Sequence, residues 1–177
     1  FQELRPHLNL LSVDKGTLIG EGSSGQAMYF VESGLLRFYT VDTMGKERVL
    51  QFAPENWFIA DRSNFLKPNE NIPSFAYHID AIEDSKIIDL SNDIFCHISN
   101  IEPSFARVNE TLLQNHIMHL QHRINLLIGS DVRERYEDFI RLYPNIFQRV
   151  PQWMIASYLG VTPEGLSRVR NQIARGK

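Results

Sequence analysis

Cysteine is nearly absent: Cys96 stands alone among 177 residues. A single thiol excludes an intrachain disulfide, a Cys-rich zinc site and an all-cysteine iron–sulfur cluster. Long apolar runs are missing too. A spanning helix needs about 20 consecutive apolar residues, and no run comes near that, so no membrane partner is expected. The opening Phe1-Gln-Glu-Leu-Arg-Pro6 has no basic stretch leading into an apolar one, so no secretory signal is expected and a cytoplasmic setting is. What is present suits a folded domain. The chain is 43% hydrophobic and 22% charged, enough at this length for a core without disulfides or a structural metal.

Positive charge is also in short supply, with a net charge of −3. Its distribution is uneven. Residues 1–130 carry 10 Lys and Arg against 16 Asp and Glu, whereas residues 131–177 carry 8 against 5. An acidic body with a basic end suggests two tasks on one chain, the basic one facing phosphates; a merely solvated surface is the alternative.

Up to about residue 90 the sequence reads as short strands between turns. Thr17–Ile19, Ala27–Val31, Leu35–Val41, Glu47–Phe52, Phe75–Ile82 and Lys86–Leu90 are rich in β-branched and aromatic residues. Lys15-Gly16, Glu21-Gly22, Ser33-Gly34, Met44-Gly45 and Pro54-Glu55-Asn56 punctuate them. Connections this short cannot hold crossover helices, so a largely antiparallel roll or sandwich is expected. Ser91-Asn-Asp93 then offers caps for a short helix through Phe95 and Ile98, and Pro103 opens a long one. Leu113, Ile117, Leu120, Ile124 and Leu127 repeat at spacings of 4, 3, 4 and 3. Such a seam suits a helix that pairs with its twin, or an amphipathic helix packed on its own β domain. Asp131 and Glu134 are spaced as an acidic relative of a capping box, for a helix that Pro144 stops.

The densest signal lies in Val150–Arg170. Pro151 suits a first helical turn, Ala156 is small where a second helix must cross, and Gly160 can take the positive φ that ends the first helix. Val161 supplies an apolar plug, Thr162 a cap, and Pro163 the first turn of a second helix. Leu166, Val169 and Ile173 should then face inward, which leaves Glu164, Ser167, Arg168 and Asn171 on the opposite face. These side chains can read base edges: Arg on guanine, Glu on cytosine, Asn on adenine. Arg170, Arg175 and Lys177 are expected to meet phosphates. A helical hairpin with a solvated outer face is the plain alternative. Gly165 dissents, since it weakens the second helix by about 1 kcal/mol relative to Ala.

Together these segments resemble the Crp/Fnr family of bacterial transcription regulators. Lys15-Gly16, Glu21-Gly22, Tyr29-Phe-Val-Glu-Ser-Gly34-Leu-Leu-Arg37 and Gly45-Lys-Glu47 look like that family's β-roll turns. Ala156-Ser-Tyr-Leu-Gly-Val-Thr-Pro-Glu-Gly-Leu-Ser-Arg168 looks like its DNA-reading motif. The resemblance implies an α+β fold: residues 1–129 as an N-terminal antiparallel, jelly-roll-like β-roll effector domain with a dimerisation helix over about 103–129, and residues 130–177 as a helix-turn-helix domain. It implies a homodimer on double-stranded DNA, with Glu164, Ser167 and Arg168 at base-contacting positions, and leaves RNA polymerase open as a partner.

Members that bind cyclic AMP carry a Gly-Glu pair for the ribose and an Arg followed by Ser or Thr for the phosphate. Here Phe58-Ile-Ala60-Asp61 stands in place of the first and Phe75-Ala76 in place of the second, with Arg62 the nearby base. A phenylalanine cannot neutralise a phosphate, so cyclic AMP is not expected to bind in the family's manner. No cofactor is evident, and the tentative effector set is Ala60, Asp61, Arg62, Phe75 and Ala76 for an unknown, less anionic molecule. Only nine residues follow Arg168, too few for the β-hairpin wing many members add, whether the wing is lacking or the tail cut short.

Other chemistry is not expected. Gly20-Glu-Gly22-Ser-Ser-Gly25 spells a dinucleotide fingerprint, but a strand rather than a helix follows it. His116, His119 and His122 step around one helix without an acidic residue at matching spacing there, so no metal site is assigned. A cupin-like enzyme would want a His and Glu cluster on its strands, and the β region offers His78 alone. The other reading carried forward is an effector-binding dimeric signalling module that acts through a protein partner.

Overall fold

The computed structural model describes residues 8–21, 27–61, 76–90, 98–100, 102 and 104–176. The chain forms two compact units, Phe1–Ala106 and Arg107–Lys177.

Among the described residues of the first unit, eight strands follow one another: β1 (Asn9–Val13), β2 (Leu18–Glu21), β3 (Ala27–Ser33), β4 (Leu36–Val41), β5 (Glu47–Ala53), β6 (Phe58–Asp61), β7 (Tyr77–Ala81) and β8 (Ser85–Asp89). They form two four-stranded sheets, ordered β1-β8-β3-β6 and β2-β7-β4-β5. All the pairings are antiparallel. Two strands go beyond the sequence expectation, β1 and β6. The short helix expected from Ser91 falls mostly outside the described residues, although 98–100 are helical.

Val13, Val31, Leu36, Ala53, Ile59, Ile79, Ala81 and Ile87 make one apolar cluster from both sheets. The turn into β4 depends on Gly34, at φ +97°. A Cβ there would fall 2.7 Å from Ser85 Cα, so only glycine lets the strands approach this closely. Ser85 Oγ in turn accepts the Leu35 N–H at 3.1 Å.

Arg37, 4% exposed, is tied by its Nε to Asp80 Oδ1 at 2.9 Å, by Nη2 to Asp80 Oδ2 at 2.5 Å and by Nη1 to Glu47 Oε2 at 2.5 Å. It also lies 4.0 Å above the Tyr39 ring. Burial works against the guanidinium charge, but the Asp80 and Glu47 carboxylates outweigh it and hold its pKa above the ordinary value. One side chain thereby joins β4 to both its neighbours.

The second unit contains all but the first residues of α1 (Ser104–Gly129), then α2 (Val132–Leu142), a 3-10 turn at Ile146–Gln148, α3 (Gln152–Leu159) and α4 (Pro163–Ala174). Asp131 caps α2 in a full capping box, with the Glu134 N–H to Asp131 Oδ1 at 2.9 Å and the Asp131 N–H to Glu134 Oε2 at 3.2 Å. The division at 106/107 differs from the 129/130 boundary expected from sequence. The long helix groups with the helices after it because its second half bonds to them directly. His122 Nε2 meets Asp138 Oδ1 at 3.0 Å, and Arg123 Nη2 donates to the Tyr158 carbonyl at 2.9 Å.

Candidate nucleic-acid interface

Helices α3 and α4 cross in a helix-turn-helix, and most local signals have a counterpart in the structure; Pro151 stands just before α3 as its N-cap rather than in its first turn, and Val169 and Ile173 are half-buried. Ile155, Ala156, Leu159 and Leu166 are buried and close the crossing. Gly160 ends α3 in the left-handed region at φ +69°, and the Val161 N–H bonds back to the Ala156 carbonyl at 3.0 Å. This is a Schellman-type stop, in which the residue after the glycine satisfies a carbonyl that the helix leaves open. Thr162 caps α4 by accepting the Gly165 N–H at 3.1 Å, with Pro163 in the first turn. Glu164 lies at the positive end of the helix dipole, where a carboxylate is favoured.

Two arginines finish the other helix end. Arg123 of α1 donates to the Tyr158 carbonyl, and Arg135 Nη1 of α2 donates to the Leu159 carbonyl at 2.8 Å. Both carbonyls belong to the last turn of α3, at the negative end of its dipole, where cations are favoured by roughly 0.3–1 kcal/mol each. The Arg123 guanidinium also stacks 4.0 Å over the Tyr158 ring. Burial lowers the pKa of Arg123 and raises that of the Tyr158 phenol. Neither arginine was picked out by sequence reasoning. The partners lie 35 and 24 residues away, and no local pattern marks them.

Glu164, Ser167, Arg168 and Asn171 are all exposed and, with Pro163, line one open depression along α4. Thr162 is exposed at its start. Arg170 departs from this face. It is half-buried, with its guanidinium 4.3 Å from the centre of the Phe147 ring, so any phosphate it meets lies off the side of α4. Arg175 is exposed just past the helix end, and Lys177 lies outside the described residues.

On α1, Leu113 is half-buried, while Ile117, Leu120, Ile124 and Leu127 are 45, 45, 53 and 42% exposed. Met118 and Ile128 beside them are 65 and 81% exposed. An apolar stripe of this size is costly to leave in water. His122 is engaged with Asp138, which Arg141 also contacts. No group of three metal-ligating side chains occurs among the described residues, and none of the described helices is long and apolar enough to cross a membrane.

The tentative effector set is only partly described. Ala60 and Asp61 lie on β6, Asp61 buried at 6%, and Ala76 is exposed just before β7. Arg62 and Phe75 fall outside the described residues. His78 on β7 stacks on Tyr39 with ring centres 5.1 Å apart. The Gly20 fingerprint begins at the end of β2, and the next described residues form strand β3, so among the described residues no helix follows it as a dinucleotide site requires.

The described residues thus combine a two-sheet β-roll with a buried ion triad, a long helix, and a helix-turn-helix with an exposed polar face. Comparison with known proteins shows what this arrangement is similar to. The family model for the cyclic nucleotide-binding domain matches residues 13–99. The anaerobic regulatory protein of Pasteurella multocida (strain Pm70) is 25% identical over 172 residues, covering 89% of this chain. This chain spans about 60% of the length of that relative. The structure of FixK2 from Bradyrhizobium japonicum matches with a TM-score of 0.76 at 21% identity, covering 96% of this chain and 85% of FixK2. A protein of Eubacterium rectale ATCC 33656, described as a transcriptional regulator of the crp/fnr family, matches with a TM-score of 0.73 at 20% identity, covering 99% and 82%. Residues 13–99 thus match a cyclic nucleotide-binding domain, and the fold of the chain is similar to that of Crp/Fnr-type structures.

Proposed function

We propose that this chain is a sequence-specific, DNA-binding transcription regulator that works as a homodimer. The observation that carries the reading is the outer face of α4. Four side chains able to read base edges stand together on the second helix of a helix-turn-helix, exposed and in helical register. In the major groove, Arg168 would take a guanine bidentately, Glu164 would accept from a cytosine amino group, and Asn171 would pair with an adenine. Arg175 and Arg170 would meet phosphates on the flanks.

The exposed stripe on α1 supports the homodimer. Ile117 and Ile124 alternate with Leu113, Leu120 and Leu127 at heptad spacing, and β-branched residues at one seam position with leucine at the other favour two parallel strands. Two parallel helices would bring two reading heads to the two halves of a palindrome, about one DNA turn apart. RNA polymerase is a natural further partner for such a regulator. The β-roll would hold a small, less anionic effector, since Ala60, Asp61 and Ala76 supply no cation for a cyclic-nucleotide phosphate and Phe75 replaces the expected arginine. Such an effector would act by shifting how the two α1 helices pair.

Selection of bound duplexes from a random pool with the ligand-free protein tests the reading. An enriched palindrome is expected, with Arg168→Ala weakening binding to it about 10- to 100-fold, the loss of one bidentate base contact. Enrichment of no sequence, with and without the β-roll's effector, would overturn it in favour of a module that acts through a protein partner.

A further inference from the structure

The second half of α1 touches the helices after it in three ways, and each contact uses a different helix or turn. His122 reaches Asp138 on α2. Arg123 bonds and stacks on Tyr158 at the end of α3. The third contact is steric: a Cβ on Gly160 would lie 3.3 Å from Leu127 Cδ2 and 3.5 Å from Arg135 Nη1. The turn glycine of the reading head therefore sits directly against a residue of the exposed stripe. Between α1, which ends at Gly129, and α2 the chain passes through Ser130 and Asp131. A short link next to a glycine could serve as a hinge, but these contacts bracket it from both sides.

We propose that Arg123 is a positioning residue that makes the second half of α1 and the reading head one rigid body, so that the link at Ser130–Asp131 does not act as a hinge. This rests on the DNA-reading homodimer inferred above. Its consequence is that any change in how two α1 helices pair is passed to the DNA-facing surface undiminished. A planar guanidinium suits the task because it can stack on a ring face and donate in its own plane to a carbonyl at the same time. Its removal would leave the Tyr158 carbonyl uncapped and the Tyr158 ring bare on that side.

The test uses the full-length protein with Cys96→Ser, spin labels at Asn115→Cys and Ala174→Cys, and an excess of unlabelled protein so that each measured pair lies within one protomer. A single narrow distance is expected for the parent. Arg123→Met should at least double the width of that distribution without altering dimer mass. Arg123→Lys keeps the charge and the stem but not the planar stack, should broaden it less, and stands in should the Met variant fail to fold. A parent distribution as broad as that of the Met variant, or no broadening with either substitution, overturns the proposal. A second readout uses the selected palindrome. Arg123→Met should reduce discrimination against half-sites moved by one base pair at least 10-fold and leave base preference within each half-site intact. Loss of base preference with unchanged spacing discrimination would count against it. If the parent binds no duplex, the DNA-reading function fails, yet the distance measurement still decides the rigid body.

Discussion

In the β-roll a buried cation, Arg37, is met by two carboxylates from neighbouring strands. In the helical unit Arg123 and Arg135 are met by main-chain carbonyls at the end of a helix. The first arrangement is charge against charge inside a sheet. It fixes which strand lies beside which, at positions 43 and 10 residues apart in the chain. The second anchors one helix end and makes no demand on the acidic side chains, so Glu164 and its neighbours stand at the surface. The roll is organised around its own interior. The helical unit leaves both a polar face and an apolar stripe outward, as a part that must meet other molecules does.

If that contrast is right, a cut at the ion triad should injure the roll most of all. Asp80→Ala leaves the Arg37 guanidinium buried with Glu47 as its remaining carboxylate partner, and a loss of about 3 kcal/mol is expected in urea unfolding followed by β-sheet circular dichroism. Unaltered stability would show that the triad is incidental to the roll. The apolar stripe comes next. Ile124→Glu removes roughly 2 kcal/mol of apolar burial in a paired helix and sets two carboxylates face to face. Dimerisation followed by sedimentation should weaken about 30-fold or more, with the fold of each protomer retained. A smaller gain is expected within the reading head. A Cβ at Gly165 would lie 3.4 Å from Thr162 Oγ1, an ordinary contact, and φ there is not positive. Gly165→Ala should therefore raise stability by about 1 kcal/mol in thermal unfolding, the helix-propensity difference.

The smallest effect concerns the β4–β5 turn. Asp42 accepts the N–H groups of Lys46 and Met44 at 2.9 and 3.0 Å and the Arg48 Nε–H at 2.9 Å. The Lys46 bond, with those from Arg48 and Met44, holds its carboxyl below the usual range. A carboxyl lowered in the folded state adds stability above its unfolded pKa and loses it as pH falls through the folded one. The stability gap between the parent and Asp42→Asn should therefore narrow on acidification below the ordinary carboxylate range. Urea midpoints measured across that range give the answer, and a gap that stays constant would count against the carboxylate's part in the turn.

How much of this was legible depended on how far apart the partners are in sequence. Both helices of the helix-turn-helix were legible, because Pro151, Gly160, Thr162 and Pro163 act on their immediate neighbours and the apolar spacing is read within one window. The capping box at Asp131 is local in the same way. Strand β1 was missed because its pattern is blurred: Leu10 is 55% exposed beside a half-buried Leu11. Strand β6 is only four residues long and reads as a bare apolar run until its pairing with β3 is seen. The Arg37 triad and the two carbonyl caps were not legible, since long-range charge and hydrogen-bond partners leave no periodic trace. The grouping of α1 with the head was hidden for the same reason. Glycine, apolar seam and arginine are each ordinary in sequence, and their meeting depends on how the helices pack.

The fit at Gly160 also bears on how such proteins can be recombined. A reading head transplanted onto another long helix would bring its turn glycine against whatever residue replaced Leu127, with no more than a methyl group's tolerance. A chimera joined at the apparent linker, between Gly129 and Ser130, would cut through this fit and through the Arg123 cap. One joined near 106/107 would carry both intact. The natural unit of exchange thus begins near Arg107, with the final turns of the long helix travelling together with the helices after it.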